Sequence, residues 1–212
     1  MTEPDVALTD YALAVECGVF AYLLSRQAPR NRSLSPWFVL FFGATTGAAL
    51  AGGTVHGFFL DERTLGAAVL WPTALLALGL VALAAWEIGA TLRFAPPLVR
   101  KISLVARAEF VVYAGVVVFV SQAFAVAVLN YLPAMLFLVV VFGLEYRRTR
   151  ARAVLLGFLG LVLSLVASVI QQSGIALHPV YFNHNALYHA IQVVALFMIF
   201  LAARWLVDAT DV

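Results

Sequence analysis

Charge is scarce in this chain of 212 residues: Asp, Glu, Lys and Arg together make up 11% and hydrophobic residues 64%, against about 25% and about 45–50% in soluble domains. A water-soluble globule is excluded. Cys17 is the single cysteine, so neither an internal disulfide nor a thiolate zinc cluster can form. Lys101 is the single lysine and lies between apolar runs, which leaves no amine for a retinal Schiff base in the last span. The amino terminus, Met-Thr-Glu-Pro-Asp, has no basic segment ahead of the first apolar run and does not read as a cleaved signal peptide, so the first helix is expected to stay. No long repeat, low-complexity tract or linker is evident, and a single domain over residues 1–212 is expected. The net charge of +2 does not imply nucleic acid, because the basic residues sit between apolar runs and build no face of a folded domain.

What remains is apolar sequence. Seven stretches are present, at about 8–25, 36–60, 65–92, 103–128, 132–146, 152–172 and 183–207, and a span needs roughly 20 residues. The fifth reaches only about 22 Å and needs a thinned bilayer or neighbours that cover its ends. The runs are continuous rather than alternating, and an unpaired strand edge is untenable in hydrocarbon, so the predicted fold is all-α, a polytopic bundle of seven transmembrane helices. Proline marks the connections: Ser35-Pro36 reads as an N-cap and first helical residue, and Pro29, Pro96, Pro97, Pro133 and Pro179 fall in or beside loops. Pro72 alone falls within a span and predicts a kink in helix three. Small residues recur four apart at Gly43 and Gly47, at Gly53 and Gly57, and at Gly160, Ser164 and Ser168, a pattern that lets helices approach closely.

Arginine sets the orientation. Arg26, Arg30 and Arg32 follow span one; Arg93, Arg100, Lys101 and Arg107 surround the third connection; Arg147, Arg148, Arg150 and Arg152 the fifth; Arg204 ends span seven, and Arg63 alone lies opposite. The positive-inside rule places the amino terminus outside and the carboxyl terminus inside, in what reads as a bacterial cytoplasmic membrane.

Polar chemistry collects at the outer rim. His56 ends span two, His184 and His189 open span seven, and His178 lies in the loop before it. Asp10 and Glu16 enter from the outer end of span one, and Asp61 and Glu62 join spans two and three. Ionisable side chains in membrane helices are costly and become a functional hypothesis when they converge. Three histidines with nearby carboxylates suit zinc. Residues four apart share a helix face and residues five apart do not, so His184 joins His189 only from a non-helical turn, while Asn185, His189 and Gln192 share a face. Asp10, Asp61 and Glu62 also suit a hydrated helix start, whereas Glu16 lies about 9 Å deeper than Asp10 and should face the bundle. Glu87, Glu109 and Glu145, near arginines, read as paired or snorkelling groups.

Gly-Gly-Thr-Val-His-Gly-Phe-Phe at 52–59, ending span two, and Asn-His-Asn-Ala-Leu-Tyr-His-Ala-Ile-Gln at 183–192, opening span seven, resemble the CREST superfamily, which includes alkaline ceramidases and progestin/adiponectin-type receptors. The resemblance is to an uncharacterised bacterial branch. It implies a seven-helix fold and zinc held by His56 and His189. Asn185 stands at the first position of the family's HxxxH motif, with His184 displaced by one. Gly52 stands where the family has a serine, and span three offers no buried aspartate. The resulting expectation is a zinc-dependent membrane hydrolase of a lipid amide or ester. Its metal ligands would be His56, His184 and His189, with Asn185 and Gln192 behind them, and Asp61, Glu62 or Glu16 would move protons. A membrane lipid is the expected partner. The alternative is a non-catalytic seven-helix protein, receptor-like or structural, that binds metal or lipid.

Overall fold

The computed structural model describes residues 1–178 and 181–209. Among these residues the chain forms seven α-helices: α1 Pro4–Arg26, α2 Ser35–Phe58, α3 Leu65–Arg93, α4 Pro96–Phe119, α5 Phe124–Thr149, α6 Arg152–Gln172 and α7 His184–Asp208. Each is long and apolar enough to cross a membrane. Their exposed faces carry large hydrophobic side chains, such as Val15, Leu104, Val111, Phe119 and Leu129, and extended apolar surface of this kind marks a membrane or partner-facing surface.

The expected spans match the helices closely except at the fourth and fifth. There α4 starts at Pro96 and stops at Phe119, and α5 starts at Phe124 rather than near 132, so the fifth helix has 26 residues and needs no thinned bilayer. The break is small: the amides of Val120 and Ser121 both donate to the Val116 carbonyl, and Ser121 Oγ accepts from the Ala123 amide at 3.3 Å. A serine and a glutamine amid valines are too weak a polar signal to stand out from the run. Pro133 lies inside α5 and not in a connection, so Pro72 is not alone within a helix. Proline survives there because freed backbone groups in membrane helices find other partners. At α2 the cap shifts by one: Leu34 precedes the helix, its amide donating to Asn31 Oδ1 at 3.2 Å, and Ser35 is the first helical residue. Pro179, expected in a connection, lies outside the described residues.

Six helices form a closed ring, in which α1 packs on α2, α2 on α3, α3 on α5, α5 on α6, α6 on α7 and α7 on α1. The fourth helix stands outside, docked on α3. It buries only Ala106, Tyr113 and Val117, and Tyr113 sits where a side chain at Gly79 would clash, 2.5 Å from its ring, with its hydroxyl donating to the Leu75 carbonyl at 2.7 Å. At the end of the ring where α1 finishes, the core is aromatic: Phe20 stacks on Phe200 with centroids 4.1 Å apart, and Phe42 meets Phe20 edge-on at 5.5 Å. Buried Glu87 accepts from Ser103 Oγ at 2.6 Å and pairs with Arg107 at 3.5 Å, and Glu145 pairs with Arg148 at 2.9 Å, so these two carboxylates are satisfied locally. This end carries the arginines other than Arg63; the opposite end, where α1 and α7 begin and α2 stops, carries the histidines.

Glycine decides how tightly the ring closes. A Cβ at Gly53 would lie 2.7 Å from Asp10 Cβ and 3.3 Å from the Ala7 carbonyl oxygen, and one at Gly57 would lie 3.3 Å from Ala7 Cβ. Between α6 and α7, a Cβ at Gly160 would approach the Ala195 carbonyl to 2.6 Å. Gly43, one of the same series in sequence, has nothing within 4 Å and faces outward.

Candidate functional site

The ring encloses a cavity of about 780 Å³ to which all six of its helices contribute and α4 does not. Its depth follows from the register of the lining residues. On α2 they run from His56 to Phe41, roughly 22 Å at about 1.5 Å per residue, and on α7 from Asn185 to Leu196, roughly 16 Å. The deep walls are apolar: Leu13, Phe41, Val81, Leu136, Leu165 and Leu196. The histidine end is polar, with Asp10, His56, Gln171, Asn185, His189 and Gln192. Leu132 and Leu136 of α5 and Val169 of α6 line the cavity and are substantially exposed. The cavity therefore has an accessible apolar flank at α5 and α6.

The first turns of α1 organise the polar end. The backbone before the helix runs beside the last turn of α2: the Thr2 amide donates to the Gly57 carbonyl at 3.0 Å and the Glu3 amide to the His56 carbonyl at 3.1 Å. Glu3 is thereby brought onto His56, whose Nδ1 lies 2.5 Å from Glu3 Oε2. One turn on, Asp5 Oδ2 accepts from the Asn183 amide at 3.0 Å, and the Asn183 side chain in turn accepts from the amides of Asn185 and Ala186 and caps α7. Thr9 Oγ1 lies 3.2 Å from His189 Nδ1, and Asp10 Oδ1 lies 3.3 Å from His189 Nε2. His189 and Asp10 are both buried. Buried polar groups need partners, and the amides here have them: Gln171 Nε2 donates to Asn185 Oδ1 at 2.9 Å, and Ser164 Oγ donates to Gln192 Oε1 at 2.9 Å.

Of the residues singled out in the sequence, His56, His189, Asn185 and Gln192 line this cavity. The others are placed elsewhere. His184 is the first residue of α7 rather than part of the preceding turn, so it and His189 point to different faces, and it does not line the cavity. Asp61 and Glu62 are exposed in the connection that follows α2, where Asp61 Oδ1 accepts from the Arg63 amide at 3.0 Å and the Asp61 carbonyl from Thr64. Because α3 starts only at Leu65, neither carboxylate is carried back over the cavity. Glu16 is half-buried on α1 and off the cavity wall, with Oε2 buried and without a hydrogen-bond partner. Among the described residues no three His, Cys, Asp or Glu side chains are grouped as a ready metal site. The structure instead presents two pairs, His189 with Asp10 and His56 with Glu3. Glu3 and Thr9 are not singled out in the sequence, and Asp10, placed there at the outer rim, reads as an acid that suits a hydrated helix start rather than as a site residue. The available signal was Asp10's position beyond the first turn of α1, where dipole and hydration no longer account for an acid.

A family comparison matches residues 6–208. The chain belongs to the family of unknown function DUF6962. No curated protein and no solved structure matches it. The match takes in every ring helix of this DUF6962 chain and all of the cavity wall, whereas Glu3, the partner of His56, precedes it.

Proposed function

We propose that this protein is a zinc-dependent membrane hydrolase that takes a lipid amide or ester into the ring cavity. The observation that carries this reading is the cavity itself, which joins a deep apolar channel, about one leaflet long when the hydrocarbon core is about 30 Å, to a polar end lined by His56, His189 and Asp10. An acyl chain fits the walls formed by Phe41, Val81, Leu136 and Leu196, and the scissile carbonyl would lie against the imidazoles. Two motifs more than a hundred residues apart face the same cavity, which supports the resemblance to the CREST superfamily. Imidazole and carboxylate are ligand types that zinc accepts, and zinc bound there supplies polarisation of a carbonyl and a water acidic enough to ionise near neutral pH. The chain's own groups do the rest: Asp10 is the carboxylate within reach of that carbonyl, the amides of Gln171 and Asn185 orient a polar headgroup, and the dry walls exclude bulk water. The arginine distribution supports a bacterial cytoplasmic membrane with the histidine end outside, so lipid would enter from the outer leaflet past Leu132, Leu136 and Val169.

The test is purified protein in phosphatidylcholine vesicles carrying a long-chain N-acyl amide or a long-chain ester, with fatty-acid release followed by mass spectrometry. Release that stops on zinc chelation and returns on zinc addition is the expected result. A second reading, a non-catalytic protein that holds lipid in the same cavity, is favoured by the absence of a ready three-ligand group among the described residues; lipid that copurifies and is never cleaved would establish it. Leu196→Trp separates channel from site. It is expected to lower cleavage of the long-chain substrate at least about tenfold, because a filled pocket rejects added methylenes, while zinc content and cleavage of a short-chain analogue stay near the wild-type level.

A further inference from the structure

We propose that the lipid held in the ring cavity has an uncharged head that donates hydrogen bonds, hydroxyl groups above all, and that the cavity turns away the same chain bearing a phosphate. This selectivity rests on the lipid half of the reading above and not on zinc.

The head decides because the chain cannot. A chain that passes from the bilayer into the well leaves one apolar setting for another, so its methylenes contribute little preference. The well is also blind: beyond Phe41, Val81, Leu136 and Leu196, which line its deep end, the ring is filled by fully buried Phe38, Ile88, Leu138 and Ile199. A lipid therefore enters tail down, and its head stays among the polar groups of α1, α2, α6 and α7.

Those groups offer no positive charge to spare. Among the described residues no lysine or arginine lines the cavity. Each imidazole has an acid beside it, with His56 Nδ1 2.5 Å from Glu3 Oε2 and His189 Nε2 3.3 Å from Asp10 Oδ1, so a proton taken up by either ring is matched by its neighbour. Asp10 adds negative charge or none. An anionic head drawn in from the hydrated rim would lose water and gain no counter-charge, which is the costly way to bury an ion.

The supply of hydrogens favours the same head. Ser168 and Ser173 of α6 both line the cavity, and each spends its one hydroxyl hydrogen on its own helix: Ser168 Oγ donates to the Ser164 carbonyl at 3.1 Å and Ser173 Oγ to the Val169 carbonyl at 2.8 Å. Toward a ligand these oxygens can only accept. Gln171 and Asn185 are already bonded to each other at 2.9 Å, and Gln192 accepts from Ser164. The phenols of Tyr131 and Tyr188, further into the well, are neutral groups that suit a carbonyl. A glycerol or other polyol head brings the hydrogens that the serine oxygens lack, whereas an ionised phosphate brings further acceptors and charge.

The test measures uptake and not turnover. Full-length, zinc-free protein in phosphatidylcholine nanodiscs, with chelator present, is offered a long-chain monoacylglycerol, its di-O-methyl ether and its phosphate ester, and bound lipid is read by native mass spectrometry. The monoacylglycerol is expected to bind at least about tenfold more tightly than either analogue, the scale of one or two buried acceptors left unpaired. Gln172 lines the cavity at its exposed rim, so Gln172→Arg is expected to narrow the gap for the phosphate at least about tenfold. The same variant should keep the wild-type gap for the ether, and its unchanged uptake of monoacylglycerol would show that it is folded. Equal affinity of wild type for the three probes, a preference for the phosphate, or a folded Gln172→Arg that still rejects the phosphate as wild type does would overturn the proposal and leave a lipid-holding cavity standing. Uptake of none of the probes would overturn both. The expected preference, with no cleavage once zinc is restored, would uphold the head selectivity and overturn the hydrolase.

Discussion

On the proposed zinc-hydrolase reading, His189→Ala is expected to remove zinc and to lower hydrolysis by about 10³-fold or more. The size follows from what zinc contributes: several kcal/mol of charge stabilisation at the carbonyl, at about 1.36 kcal/mol per decade of rate. Structure adds a second consequence. His189 lies 3.3 Å from a buried Asp10 and 3.2 Å from Thr9, so removing the ring takes a polar neighbour from both, and a buried polar group left without a partner costs about 1–3 kcal/mol. A lowered melting temperature in detergent should accompany the lost activity, and reading both keeps loss of chemistry apart from loss of fold. His184→Ala is the informative companion. The residue begins α7 and stays off the cavity wall, so zinc and hydrolysis are expected to persist; loss of zinc in that variant would show that α7 starts later in the working protein and that the histidine turns inward.

Gly53→Leu is expected to destabilise the bundle by about 3 kcal/mol and to abolish zinc binding with it. Overpacking costs about 1–3 kcal/mol, occasionally more, and this site belongs at the upper end because the obstruction is partly backbone: the new Cβ would meet Asp10 Cβ at 2.7 Å and the Ala7 carbonyl at 3.3 Å. The helices can accept leucine only by moving α1 off α2, and that movement carries Glu3, Thr9 and Asp10 away from both histidines. Gly43→Leu, one glycine of the same sequence series, meets nothing within 4 Å and should leave melting temperature and zinc content near wild type. Equal damage from the two substitutions would contradict the packing described for the α1–α2 contact.

The glycines illustrate how far sequence could reach. Spacing by four marks Gly43, Gly47, Gly53 and Gly57 alike as small-residue positions, but spacing does not say which face meets a helix and which meets lipid. The histidines behave similarly. Hydropathy and helix direction put His56 and His189 at one end of the chain's spans, and the shared face of Asn185, His189 and Gln192 follows from the 3.6-residue turn. Where α4 gives way to α5 was not legible, since helix ends in a continuous apolar run are decided by a few backbone bonds near Val116 rather than by composition.

Sequence by itself determined the all-helical architecture, seven spans in number, and the crowding of polar groups at one end, because burial of backbone groups in an apolar setting leaves helices as the only economical solution and the 3.6-residue period orders side chains along each one. Tertiary structure alone decided that α4 stands outside a ring of six, that Asp10 and not Asp61, Glu62 or Glu16 is the carboxylate at the cavity, and that Glu3 and Thr9 hold the two imidazoles. Those are facts about which helix lies beside which, and about rotations of helices around their axes. A short interhelical approach through Gly53, and the backbone bonds of residues Thr2 and Glu3 to the end of α2, set them; no local pattern along the chain contains that information.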